Sequence, residues 1–591
     1  TPPMPLLGCN STHGGVSRSW PATPSSSSLC SPDLAIYSTN HQVTGRRSAN
    51  YQPSIWSLDS LECLRIDSEM QTSKERATKL EEDVMRCLIN KEEEGEDNLG
   101  VLELIDDIER LGLGCRFREC IHRSLHKIAS KKEIKVDDNK TTLHATALNF
   151  RLLRDHGFQV SQDVFRSFVD DEGNFMTCLS TDMEGLLSLY EASCHGFEGE
   201  KLLEDAREFS SKQLNKRIVE NSGTNTFVEQ VMNHAMELPL VRRMERVEAR
   251  WYIDAYAKRD NANPLLLELA KLDFNLVKSM LKMELQHASR WWKSMGLAKE
   301  LSFARDRVVE CFFSAVGIVT EPNCLNETRV NLTKVMALLS TLDDIYDVYG
   351  SLNELQSFTN AVQRWDICAV ENLPPYLKVF FLAVYNTVNE MAYHSMKQHG
   401  VNITSHLRKV WADLCGAFLL EAQWDFWKKT PTLEEYMSNG WVSSSGCVIL
   451  VHAYFLLTQN VTQEALDCLE NYHPLLRLPS LLFRLHNDLA TSKAEIERGE
   501  DVNSIQCYIQ ETGNSEEQAR DYIIDLIDET WKKMNKARSV TNSPFPNSFI
   551  ELVANFARTV QCVYQFGDGH GAPDERIKST IASVIIDRLT I

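Results

Sequence analysis

Nowhere in the chain does an apolar run reach the roughly 20 residues that a membrane-spanning helix needs. The longest, Cys447 to Leu457, stops at about half of that length and carries His452 inside it, so it reads as a buried core helix. Excess positive charge is missing as well. The formal net charge is -20, which works against non-specific attraction to nucleic acid or to an anionic membrane surface. An anionic ligand would have to be captured by a local cluster of cations or metal, against the field of the whole chain. No Cys-x-x-Cys pair occurs among the 16 cysteines, which are scattered singly from Cys9 to Cys562. That distribution excludes a disulfide framework and fits small buried hydrophobes in a reducing compartment. Alternating strand patterns of useful length are scarce, and no fixed-period repeat of the solenoid type is present.

What is there is helical periodicity. In the segment from Val101, the residues Val101, Leu102, Leu104, Ile105, Ile108 and Leu111 form one apolar stripe, closed by Gly112 and Gly114. Similar stripes recur from about residue 57 onward, and the predicted fold is all-α. With 591 residues the chain is too long for one ordinary core, and two helical domains are expected. A boundary is predicted at Arg259–Pro264, where Asn263 can cap and Pro264 suits the first helical position of the next helix. The expected domains are then 46–262 and 263–591. Residues 1–45 differ from the rest: hydroxyl-rich, with a run from Ser25 to Ser28, and with Asp33 as their one acid. Such a segment reads as a plastid transit peptide, the alternative being a disordered tail without an address.

The chemistry-bearing residues fall in three clusters. Asp343 and Asp347 are four apart and follow an apolar run, so on a helix both carboxylates share a face. Adjacent acids there repel and cost desolvation, which a divalent cation would offset. Oxygen-only ligands favour Mg²⁺ or Mn²⁺ over zinc. A solvated acidic helix end remains open as the other reading, and Asp106–Glu109 and Asp521 with Asp525 show that such ends occur in this chain. A second face carries Asn487, Thr491 and Glu495 at i, i+4 and i+8, with Arg484 three residues ahead. An amide, a hydroxyl and a carboxylate suit a metal shared with phosphate, and the arginine suits a phosphate oxygen. Finally, Arg305 and Arg307 are two apart, so both converge only if their segment is a loop or a helix start.

Together these clusters resemble the plant class I terpene synthases, over essentially the whole chain from Arg46. The family's aspartate-rich motif matches Asp343, Asp344 and Asp347; its second metal motif matches Asn487, Thr491 and Glu495. Its Arg-x-Arg segment matches Arg305 and Arg307, and its arginine ahead of the second motif matches Arg484. Arg46-Arg47, eight residues, then Trp56 match the RR(x)8W signature of the monoterpene synthases, read as a basic lid strand with an aromatic anchor. No D-x-D-D motif occurs in the N-terminal half, so protonation-initiated cyclisation is not expected. The resemblance implies an N-terminal α-barrel-like domain without catalytic residues and a C-terminal helical bundle of the class I type. It implies three divalent ions, Mg²⁺ or Mn²⁺, with Asp343, Asp344, Asp347, Asn487, Thr491 and Glu495 as ligands. Geranyl diphosphate would be bound by Arg305, Arg307, Arg484, Asn487, Asp343, Asp347, Arg46 and Arg47. Catalysis would involve Asp343, Asp347, Arg305, Tyr564 and Asp568, the last two in a glycine-rich segment (Gly567, Gly569, Gly571) that reads as a mobile loop. The implied product is a cyclic monoterpene, made in a plastid by a monomer or homodimer with no nucleic-acid partner and no membrane span.

Two departures bear on the product. Ser314 stands where many relatives have Trp, with Phe312 or Phe313 as substitutes for the lost ring, and Met336 stands where some have Asn, which favours hydrocarbons over alcohols. Three other readings compete: a sesquiterpene synthase acting on farnesyl diphosphate, a chain-elongating prenyltransferase, and a non-catalytic helical binding scaffold.

Overall fold

The apolar stripes become helices along the whole chain. The computed structural model describes residues 46, 49–64, 70–93, 98–130, 142–220, 226–322, 328–499 and 502–590. Among these there is no β-strand, only an isolated bridge between Val169 and Phe175. Contacts divide the chain into two units, Thr1–Arg46 and Arg47–Ile591. Of the first only Arg46 is described, and it is exposed. Arg47 lies outside the described residues, as does the whole segment 1–45 read as a transit peptide.

Within the larger unit the helix Pro264–Met295 joins two hydrophobic cores. It starts as its sequence requires: the Asn263 side chain accepts the N–H groups of Leu265 and Leu266 at 3.0 and 3.3 Å, and Pro264 occupies the first turn. Its first half, including Leu266, Leu269 and Phe274, packs with Leu80, Ile105 and Tyr252 of the N-terminal helices. Its second half, including Leu281, Leu285 and Trp292, packs with Val309 and Leu338 of the C-terminal helices. The two cores therefore meet within this helix, whereas the loop signals at 259–264 mark only where it begins. Both chain ends also cross over. Leu61 enters the C-terminal core, fastened by the Gln286 amide donating to the carbonyls of Leu61, Glu62 and Leu64 at 3.1–3.2 Å. Leu589 enters the N-terminal core and exchanges two hydrogen bonds with Asn275 at 2.9 and 3.0 Å.

The C-terminal core is a bundle in which Val308–Ile318 packs on Thr328–Asp344 and on Asn547–Tyr564. Pro474–Arg498 packs on Asn547–Tyr564 and on Leu433–Ser443. One stretch, Leu433–Leu457, is long and apolar enough by length and composition to cross a membrane, and the run Cys447 to Leu457 predicted as a core helix is its second half. Of its most apolar 18 residues 72% are buried inside the protein, and it is broken into two helices at Ser444–Ser445, with Ser445 in the left-handed region at φ 67°. It is a core element of the bundle.

Candidate active site

Seven helices and the segments that carry Tyr51, Arg305 and Asp568 surround a cavity of about 190 Å³. Along Thr328–Asp344 and the turn after it, Met336, Leu339, Ser340, Asp343 and Asp347 face this space. Their spacing is the 3.6-residue stripe of one helix face, extended by a π-turn over Ile345–Tyr349, which is closed by Gly350 N–H donating to Ile345 O at 2.8 Å. Asp343 is half-buried and Asp347 exposed. On Pro474–Arg498 the lining runs from Phe483 and Arg484 through Asn487 and Thr491 to Glu495. Both motif helices thus pass from apolar to oxygen-bearing side chains along the cavity. Asp343 and Asp347 face the same space as Asn487, Thr491 and Glu495, a set of hard oxygen donors that fits a divalent cation such as Mg²⁺. The Thr491 hydroxyl lies between the Asn487 carbonyl, 2.9 Å away, and the Glu495 carboxylate. Its neighbours turn the other way. Ser492 accepts from Arg520 at 2.8 Å, and Asp488 is buried, accepting from Tyr436 and from the Ser504 N–H at 3.0 Å.

The arginines divide. Arg484 lines the cavity and donates to Ser443 Oγ at 3.0 Å; burial disfavours its charge, but Tyr436, Glu421 and Asp488 around it hold it firmly protonated. Arg305 also lines the cavity, from the loop that precedes Val308–Ile318, and bonds the Asp343 carboxylate. Asp344 is fully buried and absent from the lining. It accepts the Arg305 main-chain N–H at 2.7 Å and lies 2.9 Å from its guanidinium. Burial pushes the Asp344 carboxyl up, and Arg305 opposes this. Arg307 does not line the cavity either. Only 2% exposed, it spends its nitrogens on main-chain carbonyls: His570 at 3.1 Å, Asp306 at 2.9 Å, Gln52 at 2.9 Å and Gly571 at 3.0 Å. Of the residues predicted to bind substrate or metal, Asp344 and Arg307 are therefore the two described ones that face the fold and not the cavity. A motif shows which residue types recur, but not that a neighbour one position away on the helix, or two along a loop, points elsewhere.

Several lining residues gave no signal in the sequence. Tyr51 comes from the N-terminal segment and lays its ring 4.9 Å from the Arg305 guanidinium. Glu421 reaches the lining from Thr404–Phe426, accepting from Ser443 and Asn439; burial raises its carboxyl and Arg484 opposes. The break at Ser444–Ser445 brings Ser443, Ser444 and Ser445 to the wall. His570 meets Ser340 Oγ at 2.7 Å, and burial, with Arg305 and Arg307 nearby, pushes its imidazole down to about 3, so it is neutral. Tyr564 and Asp568 both line the cavity; burial and Asp568 push the Tyr564 phenol upward. Asp568 accepts the N–H groups of His570 at 3.2 Å and Gly571 at 2.7 Å, folding its loop back on itself. The loop's glycines serve this tight turn. Gly567 sits at φ 137°, and a Cβ on Gly571 would lie 2.3 Å from Asp568 Oδ2 and 3.0 Å from Arg305. Cys311, Ser314 and Ile318 form the wall from Val308–Ile318, where the small Ser314 leaves open space; Phe312 and Phe313 are buried away from it.

Comparison with known proteins agrees with this geometry. The family model described as "Terpene synthase, N-terminal domain" matches residues 55–236, and "Terpene synthase family, metal binding domain" matches 293–533. A chloroplastic tricyclene synthase of Medicago truncatula is 48% identical over 555 residues, covering 94% of each chain. The crystal structure of isoprene synthase from grey poplar (Populus x canescens) with three Mg²⁺ ions and dimethylallyl-S-thiolodiphosphate matches at 46% identity. It covers 91% of this chain and 99% of that one, with a TM-score of 0.83. A limonene synthase structure with 2-fluorolinalyl diphosphate matches at 39% identity and a TM-score of 0.88, covering 92% of this chain and all of that one (100%).

Proposed function

The chain belongs to the terpene synthase family, and from that premise we propose that it converts geranyl diphosphate to a monoterpene hydrocarbon in a plastid. The enzyme is a carbon–oxygen lyase, which sets aside the scaffold reading, and the family's metal-binding domain makes it a user of divalent metal. One observation carries the finer reading. Two faces of hard oxygen ligands, Asp343 with Asp347 and Asn487 with Thr491 and Glu495, share a cavity with Arg305 and Arg484 and with an apolar part of the wall that includes Ile318, Met336, Leu339, Phe483 and Phe556. Those five residues would hold three Mg²⁺ ions. Ions bound there supply the charge neutralisation that lets a diphosphate leave without an attacking nucleophile.

The protein's own groups do the rest. Arg305 and Arg484 hold their positive charges at the leaving group, anchored by Asp344 and Ser443 respectively. The rings of Phe483, Phe556 and Tyr564 offer π faces to an allylic cation, and Ile318, Met336, Leu339, Ile449 and Val560 offer it no nucleophile. His570, neutral and on the wall, can take the proton whose loss turns the cation into a hydrocarbon.

A second reading, dimethylallyl diphosphate as substrate, is favoured by the likeness to isoprene synthase. The small Cys311 and Ser314 side chains favour the longer geranyl chain, since they leave room beyond the diphosphate end of the cavity. Purified protein incubated with Mg²⁺ and dimethylallyl, geranyl or farnesyl diphosphate, with identification of the volatiles, tests this. The highest kcat/KM is expected for the geranyl compound. Isoprene or a sesquiterpene as the preferred product would overturn the assignment.

A further inference from the structure

Arg307 is the one cation of its loop that is fully enclosed, and its partners belong to three separate segments. Gln52 lies in the N-terminal strap of residues 49–56, Asp306 in its own loop, and His570 and Gly571 in the C-terminal loop that carries Asp568. All four acceptors are main-chain carbonyls. A diphosphate could bind Arg307 only by displacing them, and each carbonyl left buried without a donor costs free energy. The two segments that it joins both contribute to the cavity wall, the strap through Tyr51 and the loop through Asp568 and His570. The strap has one further pin on the same helix start: Trp56 Nε1 donates to the buried Glu310 carboxylate at 3.1 Å.

We propose that Arg307 is a positioning residue, the joint through which the strap and the C-terminal loop close the cavity as one unit, and not a ligand of the substrate. A guanidinium is suited to this task, because its planar fork of N–H groups can serve carbonyls on several sides at once, whereas a lysine ammonium on a flexible stem cannot span them. Coupling of this kind is reciprocal: whatever loosens the strap must loosen the loop, and the reverse. The functional consequence rests on the reading of the cavity as the place where an allylic diphosphate ionises; the coupling itself does not.

Hydrogen exchange on the substrate-free full chain tests the joint directly. Arg307→Lys keeps the charge, and is expected to speed amide exchange by about tenfold in both 49–56 and 567–571 while exchange in the helix Asn547–Tyr564 stays unchanged. Trp56→Phe, which loses only the indole N–H at the far pin, is expected to speed exchange at 567–571 as well as in the strap. This second variant decides the matter if circular dichroism shows that Arg307→Lys does not fold. In turnover, Arg307→Lys is expected to lower kcat and to raise the share of water-quenched alcohol products, with KM moving by less than about threefold. The proposal is overturned if either segment keeps its protection in Arg307→Lys, or if Trp56→Phe leaves 567–571 untouched. A KM rise in Arg307→Lys without any change in substrate-free exchange also overturns it, since that marks a substrate ligand. An enzyme inactive on every allylic diphosphate would refute the assigned reaction and leave the exchange result standing.

Discussion

The Asp344 carboxylate is the counter-charge of Arg305: it accepts the arginine's main-chain N–H at 2.7 Å and lies 2.9 Å from Nε, out of contact with solvent. Asp343, one position earlier, reaches the same arginine from the cavity side, half-exposed. The adjacent acids of one motif therefore do different work, one bracing the cation and the other facing the space where a metal would be held.

Removing them should separate activity from stability. Asp343→Ala and Asp347→Ala are expected to abolish turnover of geranyl diphosphate, as is metal chelation of the wild type, with little change in thermal midpoint. Asp344→Ala takes from Arg305 its buried counter-charge and leaves it the half-exposed Asp343, and is expected to cost about 3 kcal/mol in chemical denaturation. Wild-type stability in Asp344→Ala, or wild-type turnover in Asp347→Ala, would reverse the assignment.

The second helix face predicts a graded series. Glu495→Gln removes a charge from the cavity and is expected to reduce kcat/KM far more than Thr491→Ser, which keeps the hydroxyl. Ser492→Ala, whose hydroxyl serves Arg520 outside the cavity, is expected to turn over normally. A larger loss at Ser492 than at Thr491 would mean that the wrong face was chosen.

Much of this site was legible because its ligands lie within two turns of one another on single helices, where spacing alone decides which share a face. Asp343 with Asp347, and Asn487 with Thr491, meet the same cavity for that reason. The same geometry allowed Arg305 and Arg307 to converge only from a loop or a helix start; they come from a loop, yet only Arg305 faces the cavity. What the sequence could not show depends on packing between distant segments. Tyr51, Glu421 and His570 reach the wall from three parts of the chain that only the tertiary fold brings together. Arg307 looks like its neighbour Arg305 until the carbonyls of Gln52 and Gly571 are in place around it. The helix Pro264–Met295 announces its start with a cap, but nothing local says that its two halves serve different cores.

Glu310 gives the strap a dependence on pH. Burial holds its carboxyl up at about 7, opposed by Arg307 and by the Trp56 hydrogen bond and reinforced by Asp306. Because the folded value lies above that of an unfolded glutamate, the folded state prefers the protonated form. The resulting stability is fully present below about pH 4.5 and is lost as pH rises through about 7. Over that window the loss is on the order of 3 kcal/mol. Glu310→Gln, uncharged at every pH, is expected to gain stability relative to the wild type as pH rises from 5 to 8. Denaturation curves for both proteins at several pH values check this, and parallel curves would show that Glu310 titrates normally.

Truncation at the arginine pair is expected to separate isomerisation from ionisation. Geranyl diphosphate has a trans double bond and cannot close a six-membered ring directly. It must ionise, recombine at the tertiary carbon as linalyl diphosphate, rotate about the freed bond and ionise again. Deleting residues 1–47 removes Arg46 and Arg47 and spares Tyr51, Gln52 and Trp56, whose contacts with Arg305, Arg307 and Glu310 hold the strap in place. This shorter protein is expected to lose turnover of geranyl diphosphate while still converting linalyl diphosphate, which enters after the isomerisation. Deleting residues 1–56 also removes the strap, and is expected to impair both substrates and to release more alcohol, because the cation then meets water. Rates and product ratios for both substrates on both truncations decide it. Equal loss on the two substrates in the shorter deletion would assign the arginines to closure alone, and no loss would leave them without a part in the reaction.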